Sequence, residues 1–403
     1  MPLARTGPLR REIESALPER PFAVRFWDGT ELPATSANGS APTFAVRSPQ
    51  AIAHVLRAPG QLGLGRAYVS GQLEPDDLDG VVRLLDGWKP PPLDATTRAR
   101  LALAAVRATG LTRPPATPAT ELRLRGRRHT RARDRRAVRH HYDVSNDFFA
   151  LFLDASMTYS CAIFSRGATT LEEAQEAKLE LVCQKLGLRE GERVLDVGCG
   201  WGSFAIHAAT RHGARVVGIT MSEPQAALAR ERAAKAGVAD RVDIRVLDYR
   251  DLRDGPFDAI ASIGMVEHVG EEQIDTYAQR LAALLGPGGR LLNHGIARLR
   301  PGDGGAGPFS DRYVFPDGLP THLSRSQAAL ERAGFVTEHV EGFADDYAET
   351  LRHWTRRLDE RSDEAAVLGG AERTRVWRLY LRAARNGFEH GFTSIYQTLC
   401  HRL

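Results

Sequence analysis

Three glycines at alternate positions follow a short apolar segment that ends in Asp196 and Val197. Gly198, Gly200 and Gly202 have no Cβ atom, so the backbone here can turn sharply and lie directly against a ligand. The residues after them continue with helical spacing, which predicts a strand, a tight turn and the start of a helix. Such a turn can contact a nucleoside, and a plain strand-to-helix connection is the alternative.

The spacing of these glycines narrows the class of ligand. Gly-x-Gly-x-Gly differs from the G-x-G-x-x-G pattern of dinucleotide sites, and the Lys-Ser/Thr pair of a phosphate-binding P-loop does not follow it. The shorter loop is typical of methyltransferases that use S-adenosylmethionine. We therefore predict an S-adenosylmethionine site that includes Asp196, Gly198 and Gly200.

Polar side chains also follow the next two predicted strands. Thr220 and Gln225 come at the end of the second strand and just after it, where many nucleotide-binding sheets have an acidic residue that binds the ribose. Their uncharged side chains can make the same kind of hydrogen bonds to a ribose. Asp248 and Tyr249 come after the third strand and offer the adenine a carboxylate for its amine and a ring for stacking. A helix cap or loop role is the alternative for each residue, but their positions at successive strand ends favour one shared site.

Two ionisable residues are candidates for the reaction itself. Glu267 follows the fourth strand, where it either caps a short helix or points into the ligand crevice, in which a charge needs a partner. His294 lies in the apolar strand Leu291–Ile296, where a satisfied core histidine is the common alternative. Cys161 has no basic neighbour in the sequence, which favours a buried thiol over a nucleophile.

The pattern around these residues predicts how they are positioned. From residue 137 onward strands and helices alternate, which predicts an α/β fold with a doubly wound, Rossmann-like parallel sheet. A sheet that ends in an antiparallel hairpin would fit the methyltransferase pattern. Strands are predicted at 193–197, 215–220, 241–246, 257–263, 290–296, 335–340 and 392–401, with a turn at 286–289, and helices at 171–186, 223–236, 271–285, 324–333 and 343–389.

A chain of 403 residues suggests two domains. Alternation around Asp28 and Gly29 predicts a small β-hairpin, and helices are predicted at 49–57, 76–85 and 94–109. We predict a smaller N-terminal α+β domain at 1–111, a basic Pro/Arg-rich linker at 112–136 and a catalytic domain at 137–403.

The linker carries a concentrated positive charge, although the net charge of the whole chain is only +4. Its arginines are opposed only by Glu121 and Asp134, which predicts contact with a polyanion, either an anionic membrane surface or nucleic acid. The alternative is a helix face that is exposed to solvent and binds no partner. No aromatic residues are interleaved for base stacking, so no nucleic acid is expected. The arginines are Arg123, Arg125, Arg127, Arg128, Arg131, Arg133, Arg135, Arg136 and Arg139.

The cysteines Cys161, Cys183, Cys199 and Cys400 are far apart and show no disulfide or metal-ligand spacing. This indicates a reducing compartment and no structural metal. The first twenty residues lack an apolar core, and no run of eighteen apolar residues occurs, so we expect a cytoplasmic protein.

From His141 to its end, the chain resembles the cyclopropane-fatty-acyl-phospholipid synthase family, which includes the mycolic acid cyclopropane synthases. The matching motifs occur in family order across about two thirds of the chain. They are His141–Phe148, Met157–Ala162, Val194–Gly202, Asp248–Asp251, Gly264–Gly270, Tyr313–Gly318 and Tyr347–Trp354.

The resemblance implies a class I methyltransferase fold and a set of site residues. It implies that S-adenosylmethionine is bound by Tyr159, Ser160, Gly198, Gly200, Thr220, Gln225 and Tyr249. It also implies a bicarbonate ion held by Cys161, Glu267, His294, Ile296 and Tyr347, with Cys161 and Ile296 acting through backbone groups.

The implied reaction is methyl transfer to the double bond of an unsaturated phospholipid acyl chain. The resulting carbocation, stabilised by aromatic faces such as Tyr347, Phe315 and Trp354, loses a proton to bicarbonate. Loss from the new methyl group closes a cyclopropane ring. Loss elsewhere leaves a methylene branch, which would need a partner reductase.

The first domain, through Phe22–Leu73, is similar to the N-terminal domains of longer bacterial members, which resemble assembly or membrane-docking modules. We accordingly expect a homo-oligomer that is peripherally associated with the inner face of the membrane. Within the enzyme class, a small-molecule N-methyltransferase is the runner-up. A nucleic-acid-binding module with a degenerate nucleotide fold is the alternative from another class.

Overall fold

The computed structural model describes residues 6–35, 41–110, 115–124, 126, 128–142, 145–300, 307–318 and 320–403. Their contacts divide the chain into two units. The first unit comprises the described residues within Met1–Leu122, together with Gly307–Tyr313 and Gly370–Asn386; the second comprises those within Arg123–Ala306, Val314–Gly369 and Gly387–Leu403. The predicted division at residues 111 and 136 stays a prediction. None of the described helices combines the length and the apolar character that a bilayer-spanning segment requires.

The first unit is a small α+β unit with a four-stranded sheet in the order β2-β1-β3-β4. The predicted hairpin around Asp28 is confirmed, because β1 and β2 pair antiparallel on either side of it, while β3 joins β1 in parallel. The elements are α1 (Gly7–Ala16), β1 (Ala23–Arg25), β2 (Glu31–Leu32), β3 (Thr43–Val46), α2 (Pro49–Arg57), α3 (Gln61–Val69), β4 (Leu73–Pro75), α4 (Leu78–Gly87) and α5 (Ala95–Thr109).

The second unit has a seven-stranded sheet in the order β10-β11-β9-β8-β5-β6-β7. Its elements up to β9 are, in chain order, α6 (Arg131–Tyr142), α7 (Asn146–Ala150), α8 (Leu171–Leu186), β5 (Arg193–Val197), α9 (Ser203–His212), β6 (Arg215–Thr220), α10 (Glu223–Lys235), β7 (Val242–Val246), β8 (Phe257–Ile263), α11 (Val266–Val269), a 3₁₀ turn (Glu271–Gln273), α12 (Ile274–Leu284) and β9 (Leu285–Arg298). The chain continues with α13 (Gly307–Tyr313), α14 (Leu323–Arg332), β10 (Phe335–Gly342), α15 (Ala344–Glu360), α16 (Ser362–Gly369), α17 (Ala371–Glu389) and β11 (Thr393–Arg402). Helix α13 and residues 371–386 of α17 belong to the first unit.

The sheet confirms the predicted α/β class. Strands β5 to β9 pair in parallel, and β11 pairs antiparallel with both β9 and β10, which is the predicted hairpin at the sheet edge. Strand β5 lies between β6 and β8, where the order of the strands reverses. In such sheets the crevice outside the carboxyl ends at this point is the usual ligand site.

Two predicted elements differ from the structure in their bounds. Residues 286–289, expected as a turn before the strand, fall within β9, between its pairing with β8 at Leu285 and at Arg290, where the register shifts. The expected helix at 343–389 is three helices, since Arg361 and Gly370 interrupt it. Gly370 has a φ of +84°, and this left-handed conformation ends a helix.

Alternating strand residues fill the core on both faces of the sheet. Val194 packs in a cluster with α8, α9 and α10, whereas Leu195 packs in a cluster with α12 and α14. Successive residues of a strand point to opposite faces, so a strand apolar throughout is buried on both sides. The loops after these buried strands therefore carry the polar residues.

Candidate active site

The glycine turn after β5 forms the floor of a cavity. Gly198, Gly200 and Gly202 have φ values of +80°, +53° and +81°, and residues other than glycine rarely adopt such values. The N–H groups of Gly198 and Cys199 both donate to the carbonyl of Ile219 at 2.9 Å. The turn is thereby held against β6, and Gly198, Cys199 and Gly200 line the cavity.

All nine predicted cofactor residues line this one cavity. They come from the loop before α8 and from the ends of β5, β6 and β7, because the carboxyl ends of parallel strands meet at one edge of the sheet. They are Tyr159, Ser160, Asp196, Gly198, Gly200, Thr220, Gln225, Asp248 and Tyr249.

A buried charge pair flanks the glycine turn. Asp196 is buried, and its Oδ2 has no hydrogen-bond partner among the described residues. Burial raises the pKa of Asp196 to about 7, against the opposing attraction of Lys178. Lys178 is also buried and donates to Ser160 Oγ at 2.9 Å, and burial lowers its pKa to about 8. An acceptor and a cation at this place fit the ammonium and carboxylate groups of a methionine moiety.

Sequence reasoning missed Lys178. A signal was present: it lies four residues before Val182, on the apolar stripe of α8, where a lysine is out of place unless it has a buried partner. Gln175, one turn earlier, is also fully buried and donates to the carbonyls of Thr158 and Ser160 at 3.2 and 2.9 Å. These two side chains hold the loop around Tyr159 in place.

Thr220 and Gln225 act together, and neither is the cap of α10. Ser222 is the cap and accepts from the N–H of Gln225 at 3.4 Å. Thr220 Oγ1 donates to Gln225 Oε1 at 2.8 Å. The amide oxygen of Gln225 is thus engaged, which leaves its NH₂ group as a donor that can face a ribose hydroxyl.

Asp248 is paired more strongly than its sequence suggested. Its carboxylate accepts from Arg250 Nε at 2.9 Å and Arg250 Nη2 at 2.6 Å. Burial raises the pKa of Asp248, but the hydrogen bonds and charge of Arg250 outweigh it, and the net shift is downward. Arg250 Nη2 also donates to Asp134 of α6 at 2.9 Å. An adenine amine would share this carboxylate with Arg250, while Tyr249 offers its ring beside it.

Glu267 and Ile296 are brought together by close packing of α11 on β9. A Cβ atom at Gly295 would collide with Val266, so glycine is required for this approach. Glu267 Oε1 accepts from the N–H of Ile296 at 3.1 Å. Its Oε2 is buried and has no partner in the described part of the chain. Burial raises the pKa of Glu267 to about 7.

His294 is fully buried, and its tautomer follows from its neighbours. Lys185 Nζ lies 2.7 Å from Gln397 Oε1, and an ammonium can only donate, so the amide nitrogen of Gln397 faces His294 Nδ1 at 3.3 Å. Nδ1 is then the acceptor, and Nε2 carries the proton. That Nε2 has no partner among the described residues. Burial, followed by the charges of Lys178 and Lys185, holds the pKa of His294 well below its usual value.

Cys161 and Tyr347 meet at Phe343. The Cys161 thiol is 3.1 Å from the carbonyl of Ala162 and 3.7 Å from that of Phe343, which also accepts from the N–H of Tyr347 at 3.0 Å. The Phe343 ring lies 6.3 Å from that of His294. Burial raises the pKa of Cys161 well above its usual value, so this thiol is protonated, in line with the predicted buried cysteine.

The structure therefore places the five predicted catalytic residues beside the cofactor cavity, not in its lining. The neighbouring residues Ser160 and Met265 do line it. Tyr159, in the lining, stacks on Trp354 with ring centroids 5.1 Å apart, and Trp354 meets Tyr347 edge to face at 6.1 Å. These three rings form an aromatic wall, and Phe343, whose carbonyl accepts from the N–H of Tyr347, has its ring beside that of His294.

The fold and the cavity define a class of protein. A parallel-rich seven-stranded sheet with an antiparallel edge hairpin, and a glycine turn facing polar residues at the next strand ends, is the arrangement of class I S-adenosylmethionine-dependent methyltransferases. The chain belongs to the mycolic acid cyclopropane synthetase family, whose model matches residues 129–398.

Known proteins that are similar to the chain agree with this assignment. It is 38% identical over 387 residues to a probable fatty acid methyltransferase of Pseudomonas putida, covering 94% of this chain and 91% of that protein. It is 35% identical over 370 residues to a cyclopropane-fatty-acyl-phospholipid synthase of Escherichia coli, covering 91% and 89%. The crystal structure of the mycolic acid cyclopropane synthase CmaA1 with SAH and CTAB aligns with a TM-score of 0.63 and 33% identity, over 66% of this chain and 98% of that one.

The predicted resemblance is therefore confirmed. The protein is an S-adenosylmethionine-dependent methyltransferase of the cyclopropane synthase family.

Proposed function

We propose that this enzyme transfers a methyl group from S-adenosylmethionine to the double bond of an unsaturated acyl chain in a membrane phospholipid. The observation that carries the proposal is that two buried polar atoms near the cavity, Glu267 Oε2 and His294 Nε2, have no hydrogen-bond partner among the residues that the structure describes. Buried polar atoms are normally hydrogen-bonded, so such exceptions point to a ligand.

We further propose that the ligand of these atoms is bicarbonate. The residues fit it: His294 Nε2 carries a proton and can donate to an anionic oxygen, and ionised Glu267 Oε2 can accept from a hydroxyl. With a pKa of about 7, Glu267 is partly neutral near physiological pH, which reduces its repulsion of an anion. When bound, bicarbonate would supply the base that removes a proton from the alkylated chain.

The other residues would hold the acceptor and exclude water. An alkene is a weak nucleophile, so its reaction depends on alignment in a dry site. Tyr347 and Trp354 are buried and present aromatic faces, which can stabilise a cation on the acyl chain. Either a cyclopropane or a methylene branch fits this arrangement, and the second product would require a partner reductase.

The chemical test is incubation with labelled S-adenosylmethionine and vesicles of unsaturated phospholipid, followed by lipid mass spectrometry. The expected product is a phospholipid heavier by one CH₂ group, in which NMR distinguishes a ring from a methylene branch. An unchanged lipid, together with methylation of a small soluble amine, would refute the proposal in favour of an N-methyltransferase.

We also propose that the basic segment binds an anionic membrane surface. Asp134 and Ala137 of α6 line the cofactor cavity, while Arg135 and Arg136 are exposed and form no ion pair within the described residues. Other arginines of the segment are paired, since Arg128 and Arg133 bind Asp317 and Arg131 binds Asp251. Arg125 and Arg127 lie outside the described residues.

Charge reversal at Arg135 and Arg136 tests this membrane contact. The double change to glutamate should weaken binding to phosphatidylglycerol vesicles by about 10-fold or more, since each basic residue near such a surface contributes about 1 kcal/mol. The control is the double variant Arg189→Glu with Arg215→Glu, which changes the net charge by the same amount at exposed residues that do not line the cavity. Equal binding by the two double variants would contradict a specific role for α6.

A further inference from the structure

Helices α8 and α9 bring together a cysteine and two histidines on one side of the sheet. Cys183 is buried, His207 and His212 are half-buried, and one ligand atom from each lies within 4.8 Å of the other two. None of the three lines the cofactor cavity. We propose that Cys183, His207 and His212 form a Zn²⁺ site that is separate from the methyl-transfer site.

A carboxylate orients both imidazole rings. Glu180, one turn before Cys183 on α8, accepts at Oε2 from Nε2 of His207 at 3.1 Å and from Nε2 of His212 at 3.0 Å. Gln184 Nε2 donates to the other oxygen of Glu180 at 2.9 Å. Because an ionised carboxylate only accepts, each ring carries its proton on Nε2, and its lone pair is on Nδ1. Histidines that bind metals usually give their second N–H to such a carboxylate.

The chemistry of the ligand set favours zinc. A thiolate with two imidazoles is a nitrogen and sulfur set, which suits Zn²⁺, whereas Mg²⁺ and Ca²⁺ prefer oxygen. In tetrahedral zinc sites the ligand atoms are about 3.4–3.6 Å apart, as follows from Zn–N and Zn–S bonds of about 2.0–2.3 Å. A bound ion would draw the three ligand atoms closer together than they now lie, and water would take the fourth position.

Charge balance also favours the site. Zn²⁺, the Cys183 thiolate and the Glu180 carboxylate together sum to zero, which lessens the cost of burying the ion. The metal would join α8 to α9, and these helices carry Lys178 and Ser203 in the cofactor cavity. Bound zinc should therefore stabilise the folded protein without entering the reaction.

The test uses the full chain, first stripped of metal with a chelator. Equilibrium dialysis with Zn²⁺ followed by elemental analysis should find one ion per chain. Co²⁺, used as a spectroscopic probe, should give the thiolate-to-cobalt charge-transfer band and the strong visible bands of tetrahedral cobalt. Saturating Zn²⁺ should raise the midpoint of thermal unfolding.

Variants assign the ligands. Cys183→Ala should abolish the charge-transfer band, and His212→Gln, at a half-exposed position that should tolerate the change, should weaken zinc binding by about 10-fold or more. Glu180→Gln should weaken it by about 10–100-fold through the outer hydrogen bonds. The matched controls are Cys400→Ala, at another buried cysteine, and His401→Gln, at another half-buried histidine.

Three outcomes would overturn the inference. They are no stoichiometric zinc in the unaltered protein, a cobalt spectrum without a thiolate band, and equal zinc affinity in His212→Gln and His401→Gln. Any of them would leave Cys183 as a core residue and the two histidines as partners of Glu180 alone. The readouts do not involve methyl transfer, so they are independent of the proposed lipid substrate.

Discussion

Replacing Glu267 with glutamine should stabilise the protein and slow its reaction. Burial raises the pKa of Glu267 from the usual 4.5 to about 7. Between these pH values the folded protein keeps a proton that the unfolded chain has lost. The contribution of Glu267 to the stability of the unaltered protein therefore falls as pH rises through this interval and levels off above about pH 7.

The size of this effect follows from the pKa shift. A difference of 7 − 4.5 = 2.5 pKa units corresponds to about 3 kcal/mol, at about 1.36 kcal/mol per unit. Glutamine does not titrate, so Glu267→Gln should match the unaltered protein below about pH 4.5. It should gain up to about 3 kcal/mol in unfolding free energy at about pH 8. Urea denaturation at about pH 5 and about pH 8 measures the difference.

Turnover should change in the opposite direction. Glutamine can keep its oxygen toward the N–H of Ile296, but it then places an NH₂ group where Glu267 Oε2 would accept a hydrogen bond from the proposed bicarbonate. Loss of a hydrogen bond to a charged group costs about 1.5–3 kcal/mol, or about 10–150-fold in kcat. S-adenosylmethionine affinity should be unchanged, since Glu267 does not line the cofactor cavity.

Glu272→Gln, at an exposed glutamate nearby, is the control for both measurements and should alter neither. A Glu267→Gln variant that is less stable than the unaltered protein at about pH 8 would refute the argument from burial. Full turnover by this variant would remove Glu267 from the proposed catalytic residues.

Two further variants examine residues that position the reactants. Lys178→Met should weaken S-adenosylmethionine binding by about 10-fold or more, because a buried charge-assisted hydrogen bond contributes about 1.5–3 kcal/mol. Calorimetry measures the Kd, and an unchanged Kd would exclude contact between Lys178 and the methionine moiety. Gln397→Leu removes the donor that faces His294 Nδ1 and should reduce kcat by about 2–12-fold, as expected for one neutral hydrogen bond. Its S-adenosylmethionine affinity should stay normal, and normal kcat would show that the tautomer of His294 does not depend on Gln397.

Much of the cofactor site could be predicted from the sequence because it depends on local rules. The glycine turn needs left-handed backbone at Gly198, which is a property of the residue itself. Thr220 ends one strand and Asp248 follows another, and periodicity located both strands to within a residue or two. Parallel strands bring their carboxyl ends to one edge, so the meeting of these residues in one cavity follows from the fold class.

The environment of the proposed reaction required the tertiary structure. Periodicity could not show that Lys185 orients Gln397, which in turn sets the tautomer of His294, because these residues lie on α8, β11 and β9. Nor could it show that Gly295 lets α11 pack close enough to join Glu267 to Ile296. The orphaned oxygen and nitrogen atoms at this place arise from burial, which depends on the whole assembled sheet.

The cluster of Cys183, His207 and His212 also became visible only in the tertiary structure. Along the chain, Cys183 is distant from His207 and His212, and this spacing predicted no metal site. Helical periodicity determines which face of α8 and which face of α9 is apolar, but it does not determine which residues meet when both helices pack on the same sheet. Residue types and local geometry therefore identified the cofactor and the fold, whereas contacts between distant elements decided the protonation states and the grouping of ligands.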